Sequence, residues 1–161
     1  SGKACLSQMV DVYEYHGRSV LGVERVPMQE TNKYGVVAAT ELEKHIYMVE
    51  SIVEKPDPAK APSNLAVVGR YILTPYIFEK LKATGQGAGG EIQLTDAISD
   101  LLQDEHVLCY SFPGKRYDCG SKLGYMQATV EYGLNHPELS EDFRSYLEQL
   151  MKDDVVKIKS A

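Results

Sequence analysis

The chain has 161 residues, enough for one domain with a substantial core, since folding at this size buries roughly 68–70% of the surface the unfolded chain exposes. Its 17 Lys+Arg against 23 Asp+Glu give a formal charge of −6 at pH 7, and the basic residues are scattered, which argues against a nucleic-acid partner. Cys5, Cys109 and Cys119 lack the paired spacing of zinc or redox motifs and read as reduced thiols of a cytoplasmic protein, and no apolar run reaches the roughly 18 residues of a membrane span.

In chain order, CLSQMVDVYEYHG (residues 5–17) sets Leu6, Met9, Val10 and Tyr13 at helical spacing and stops on Gly17. SVLGVERV (19–26) reads as a strand, Pro27 to Lys33 as a polar loop, and YGVVAAT (34–40) and IYMVESIVE (46–54) as further strands. Pro56, Pro58 and Pro62 make the next ten residues a loop. LAVVGRYIL (65–73) is the most apolar strand and is expected to be central. PYIFEKLKA places Pro75 at a helix start, EIQLTDAISDLLQD is amphipathic, HVLCYSF is a strand, and KLGYMQATVEYGL and EDFRSYLEQLMK are closing helices. The pattern predicts an α/β layered domain with helices on a mixed sheet, in which strand order is not readable.

Phosphate-binding motifs are missing: no G-x-G-x-x-G follows a strand and no G-x-x-x-x-G-K-[ST] occurs. GQGAGGE (85–91) precedes a helix, but it follows a helix rather than a strand and reads as a connection between the two. His16, His45, His106 and His136 lack metal-ligand spacing and read as surface residues, and Cys119 in YDCGS reads as a buried thiol rather than a nucleophile. Asp118 in the same stretch has two readings, a turn or capping carboxylate before CGSKLGY and a hard oxygen ligand to Mg²⁺.

Glu54 and Lys55 also read two ways. They form either an exposed ion pair at a strand end or a pair of side chains aimed into one cleft. Adjacent strand residues point to opposite faces unless the strand ends, and Pro56 imposes an end. There a lysine can hold a phosphate and a carboxylate can accept hydrogen bonds from sugar hydroxyls.

YGVV (34–37), VEKP (53–56), SNLAVVGRYIL (63–73), GEIQLTDAI (90–98) and YDCGSKLGYMQATVEYG (117–133), in this order, resemble the bacterial UTP:glucose-1-phosphate uridylyltransferases, or UDP-glucose pyrophosphorylases. The resemblance runs from Cys5 to about Met151, and the five motifs together are specific, whereas VEKP alone is shared by related sugar-1-phosphate nucleotidylyltransferases. It implies a Rossmann-like mixed sheet flanked by helices, of the nucleotidyltransferase or glycosyltransferase-A-like type. It also implies that residues 1–161 are the C-terminal, sugar-phosphate-binding portion, with closing helices over about 121–152.

The implied reaction is attack of glucose 1-phosphate on the α-phosphorus of UTP, giving UDP-glucose and pyrophosphate with Mg²⁺. By the same resemblance Glu54 binds glucose hydroxyls, Lys55 holds the sugar phosphate, Gly35 lets the backbone approach the sugar, Val67 lines the sugar pocket, and Asp118 is one of two metal aspartates. The family's N-terminal glycine-rich loop and central aspartate are not in this sequence, so the chain alone is expected to be inactive and to bind UTP poorly. An open sheet edge and uncovered apolar faces are expected to give a homo-oligomer. The alternative expectation is a non-catalytic binding or self-association module.

Overall fold

A computed structural model describes residues 3–87 and 90–152, and it divides into two compact units, residues 1–114 and 115–161. Among the described residues no helix is long and apolar enough to cross a membrane.

The first unit opens with helix α1 (Cys5–His16), capped at Gly17, whose N–H donates to the Tyr13 carbonyl. Its buried stripe is Met9 and Val12 with Cys5 and Tyr13 beside them, one residue round from the face expected, so that Leu6 and Val10 are exposed. Five strands follow: β1 (Val20–Arg25), β2 (Gly35–Glu43), β3 (Ile46–Glu54), β4 (Leu65–Ile72) and β5 (Leu108–Ser111). The residues between β1 and β2 are not a plain loop but a 3-10 helix, Met28–Lys33, in which the buried Thr31 hydroxyl donates to the Met28 carbonyl. β2 and β3 form a hairpin closed by Lys44 and His45, with His45 at φ 67°.

The sheet is mixed, as the sequence pattern predicts. Its order is β1-β4-β2-β3-β5, and a parallel pairing of β5 with β1, Val20 opposite Leu108, closes it into a ring. Each strand therefore has a neighbour on both sides over part of its length, and an open edge is left only in part: among the described residues β2 pairs with β4 at Val36 and Val37 and beyond them with β3 alone. β4 lies between β1 and β2, but only Leu65, Ala66 and Val67 are buried, and beyond them the strand bulges away from β1 with Gly69 at φ 71°.

Helices α2 (Ile77–Ala83) and α3 (Leu94–Leu101) cover the ring on one side. The connection between them includes GQGAGGE, of which Ala88 and Gly89 lie outside the described residues. α3 is shorter than expected because Gln93 is extended (φ −89°, ψ 124°) and the helix begins only after it. Its Ala97, Ile98 and Leu101 pack with Val49 and Ile52 of β3, Leu21 and Val23 of β1, and Val107 and Cys109 in the main core. Burial of this kind supplies roughly 25 cal/mol for each Å² of apolar surface removed from water.

The second unit is a helical hairpin, α4 (Lys122–Leu134) and α5 (Ser140–Lys152). α4 buries Gly124 and Ala128, and α5 buries no residue. The helices meet where Gly133 faces the Phe143 ring, since a Cβ there would lie 2.7 Å from Phe143 Cε1. Cys119 is exposed, which corrects the expectation of a buried thiol: the buried cysteine is Cys109. His16 and His45 are half-buried rather than on the surface, and His16 Nε2 lies 3.7 Å from Glu43 Oε1.

Candidate functional site

At the end of β3 the backbone leaves the extended conformation. Lys55 lies at φ 44°, in a left-handed conformation that costs a non-glycine residue about 1–3 kcal/mol. Its N–H donates to the Tyr34 carbonyl at 2.9 Å, so the pairing with the segment before β2 holds it there against that cost. The turn cancels the alternation of side chains along a strand: Glu54 and Lys55 point the same way, with Lys55 Nζ 3.6 Å from Glu54 Oε1. The lysine is 61% exposed and the glutamate 21%, so the pair is a presentation of two charges rather than a source of stability.

Glu54 is held from two further directions. Gly35, its register partner on β2, is buried; a Cβ there would sit 3.3 Å from Glu54 Oε2 and 3.4 Å from Thr95 Oγ1. Thr95, in the first turn of α3, is 8% exposed and donates its hydroxyl to Glu54 Oε2 at 2.6 Å. The Tyr71 phenol is pushed above its ordinary value, first by burial and then by the Glu54 carboxylate. A cleft of about 410 Å³ opens in front of this group, lined by Ile52, Val53, Glu54, Lys55, Gln93, Asp96 and Ser99. Its polar groups are of both kinds needed for a phosphorylated polyol: one cation, and carboxylate, amide and hydroxyl groups able to pair with hydroxyls.

Val67 does not line this cleft. It is 6% exposed within the main core and pairs with Val23 of β1.

Asp118 belongs to the second unit and is exposed. Its Oδ1 accepts from the Gly120 N–H at 3.0 Å, and its carbonyl accepts from the Ser121 hydroxyl at 3.0 Å. Ser121 then caps α4 by accepting from the Gly124 N–H at 3.0 Å. The turn is tight enough that a Cβ on Gly124 would come 2.2 Å from the Asp118 carbonyl oxygen, so only glycine fits there. Tyr117 beside it lies under Lys115 (4.9 Å to the ring) and packs edge-on to Tyr132, while Lys115 pairs with Glu131, which lowers the Glu131 carboxyl below its ordinary value. A carboxylate oxygen is the donor class Mg²⁺ takes, but among the described residues no group of three His, Cys, Asp or Glu could hold a metal.

The residues themselves left Glu54 and Lys55 between an exposed ion pair and a shared cleft, the family resemblance added Gly35, and neither pointed to Thr95, Asp96, Gln93 or Ser99. The available signal was the EIQLTDA stretch, whose Thr95 falls among the apolar positions of an amphipathic helix.

Residues 3–134 match the family model described as nucleotidyl transferase. The chain belongs to that family. It is 47% identical over 150 residues to the UTP–glucose-1-phosphate uridylyltransferase of Staphylococcus epidermidis, an alignment covering 93% of this chain and 52% of that protein. A solved UDP-glucose pyrophosphorylase complexed with UDP-glucose superposes with a TM-score of 0.75 at 46% identity, over 78% of this chain and 48% of the other. The UTP-bound enzyme from Acinetobacter baumannii gives 0.77 at 41% identity, over 89% and 50%. The chain thus spans about half the length of the relatives it matches.

Proposed function

We propose that this chain carries the sugar-1-phosphate side of a UTP:glucose-1-phosphate uridylyltransferase. The observation that carries the reading is the convergence of Glu54 and Lys55 at a strained strand end over a cleft, in a chain so similar to enzymes of that name. In the reaction, a phosphate oxygen of glucose 1-phosphate forms a bond to the α-phosphorus of UTP, the bond to the bridging oxygen breaks, and pyrophosphate leaves with that electron pair. The nucleophile is already anionic, so no general base is required and the protein's work is positioning.

Lys55 holds the sugar phosphate as a point charge, Glu54 accepts from sugar hydroxyls, and Gly35 leaves room for the sugar at the backbone. Asp118 would be one of two aspartates holding Mg²⁺, and the ion would supply charge neutralisation at the phosphates.

The test is Lys55→Ala in a protein of the relatives' full length that contains this chain. The KM for glucose 1-phosphate is expected to rise and kcat to fall, with the melting temperature unchanged, because a charge-assisted contact to phosphate is worth about 1.5–3 kcal/mol. A folded variant that keeps wild-type kcat/KM for glucose 1-phosphate overturns the assignment.

A further inference from the structure

We infer that Thr95 is a positioning residue for the sugar: its hydroxyl holds the Glu54 carboxylate open, so that Lys55 and Glu54 remain available to the substrate instead of neutralising one another. The inference rests on the reading above, that Glu54 meets the sugar hydroxyls.

The geometry points to this role in three ways. Lys55 and Glu54 are neighbours of opposite charge, and left to themselves they would close to the roughly 2.7–2.9 Å of a charge-assisted hydrogen bond. They stand 3.6 Å apart, while the other carboxylate oxygen, Oε2, is engaged by Thr95 at 2.6 Å. Thr95 itself cannot follow Glu54 if the carboxylate swings, because α3 is fixed through Ala97, Ile98 and Leu101 against Val49 and Ile52 of the strand that carries Glu54. Finally, Gly35 makes space for this one arrangement, since a side chain there would press on both Glu54 Oε2 and Thr95 Oγ1. The hydroxyl therefore sets the plane of the carboxylate and leaves Oε1 directed toward Lys55. A sugar hydroxyl can then donate to Oε1 while the ammonium takes the phosphate. Without the hydroxyl the pair closes, and the substrate must break an ion pair before it can bind.

The experiment is steady-state kinetics in the full-length enzyme with Thr95→Val, Thr95→Ser, Glu54→Ala and the double variant Thr95→Val/Glu54→Ala, each with its melting temperature. Loss of a hydrogen bond to a charged group predicts that Thr95→Val raises the KM for glucose 1-phosphate by about 10- to 100-fold, with the KM for UTP unchanged. Thr95→Ser keeps the donor and restores most of the affinity. On the Glu54→Ala background the valine has little further effect, because the group it positions is gone. Should Thr95→Val fail to fold, Thr95→Ala takes its place in the cycle. Equal rises in both Michaelis constants, or additive effects in the double variant, overturn the positioning role while leaving the sugar site intact. Wild-type kcat/KM in Glu54→Ala overturns the site reading, and the positioning falls with it.

Discussion

The two units hold their candidate functional residues by different means. In the ring unit, Glu54 and Lys55 are placed by tertiary structure: the β2–β3 pairing, a buried threonine from a helix 41 residues further on, and a core running through Leu21, Val49, Ile98 and Leu101. In the hairpin unit, Asp118 is placed among the described residues by its chain neighbours, through an Asx turn to Gly120 and a cap made by Ser121 three residues later. The first arrangement gives a rigid constellation whose accuracy depends on the whole core. The second gives a local carboxylate that survives changes in packing but has little apolar burial behind it.

The largest expected effect compares a leucine in each unit. Leu101 is 0% exposed, so Leu101→Ala should cost about 2–5 kcal/mol of stability, the loss of transfer energy plus a cavity. Leu123 on α4 is 67% exposed, and Leu123→Ala should fall within about 0.5 kcal/mol. Urea unfolding of both variants measures the difference. A cost at Leu123 that matches Leu101 breaks the comparison, for it means that α4 is covered in solution.

The same division explains what could be read in advance. β3 ends where the sequence says because Pro56 cannot continue it, and α4 begins where its pattern predicts, although its cap is the Ser121 hydroxyl and not the Asp118 carboxylate that the sequence suggested. Signals of that range, a few residues, also brought Glu54 and Lys55 to one place. The ring closure was not legible, because it depends on a parallel pairing between Val20 and Leu108, and nothing local to either strand specifies the partner. Thr95 was missed for the same reason. α1 shows a milder failure: Cys5 and Val12 complete the buried stripe in place of Leu6 and Val10, a choice made by the surface it packs on rather than by hydrophobicity. Val67 is assigned to the sugar pocket by the family resemblance alone, and the register puts it opposite Val23 in the core, outside the cleft at Glu54.

A smaller effect separates the two cysteines. Burial pushes the Cys109 thiol from its ordinary 9.0 up to about 12, whereas Cys119 is exposed in the Asp118 turn. The folded ring thus keeps a proton that the unfolded chain releases above pH 9. The stability this contributes is present below the unfolded value and is lost as pH rises from 9 toward 12, with a slope of at most about 1.4 kcal/mol per unit. Between pH 8 and 10.5 the wild type should lose roughly 2 kcal/mol more than Cys109→Ala. Tyr71 and Tyr110, also raised by burial, contribute to both proteins and cancel in that difference. Identical pH dependence in the two would place the Cys109 thiol in contact with water and contradict its burial in the main core.

The smallest effect tests the independence of the units most directly. Ser121→Ala removes an oxygen that accepts from the Gly124 N–H and a hydroxyl that donates to the Asp118 carbonyl, both at 3.0 Å. Losing such a cap costs about 1 kcal/mol, enough to raise the opening of the first turn of α4 roughly fivefold. Because the Asp118 turn is built from these same atoms, hydrogen exchange should quicken at Gly120, Gly124 and Tyr125, whose N–H groups are bonded within it. The amides of β1 and β5 at the ring closure should keep their protection, since they are held by the Val20–Leu108 pairing within the first unit. If protection falls by the same factor in β1 and β5, the chain unfolds as one cooperative body, and Asp118 depends on the ring's core as much as Glu54 does.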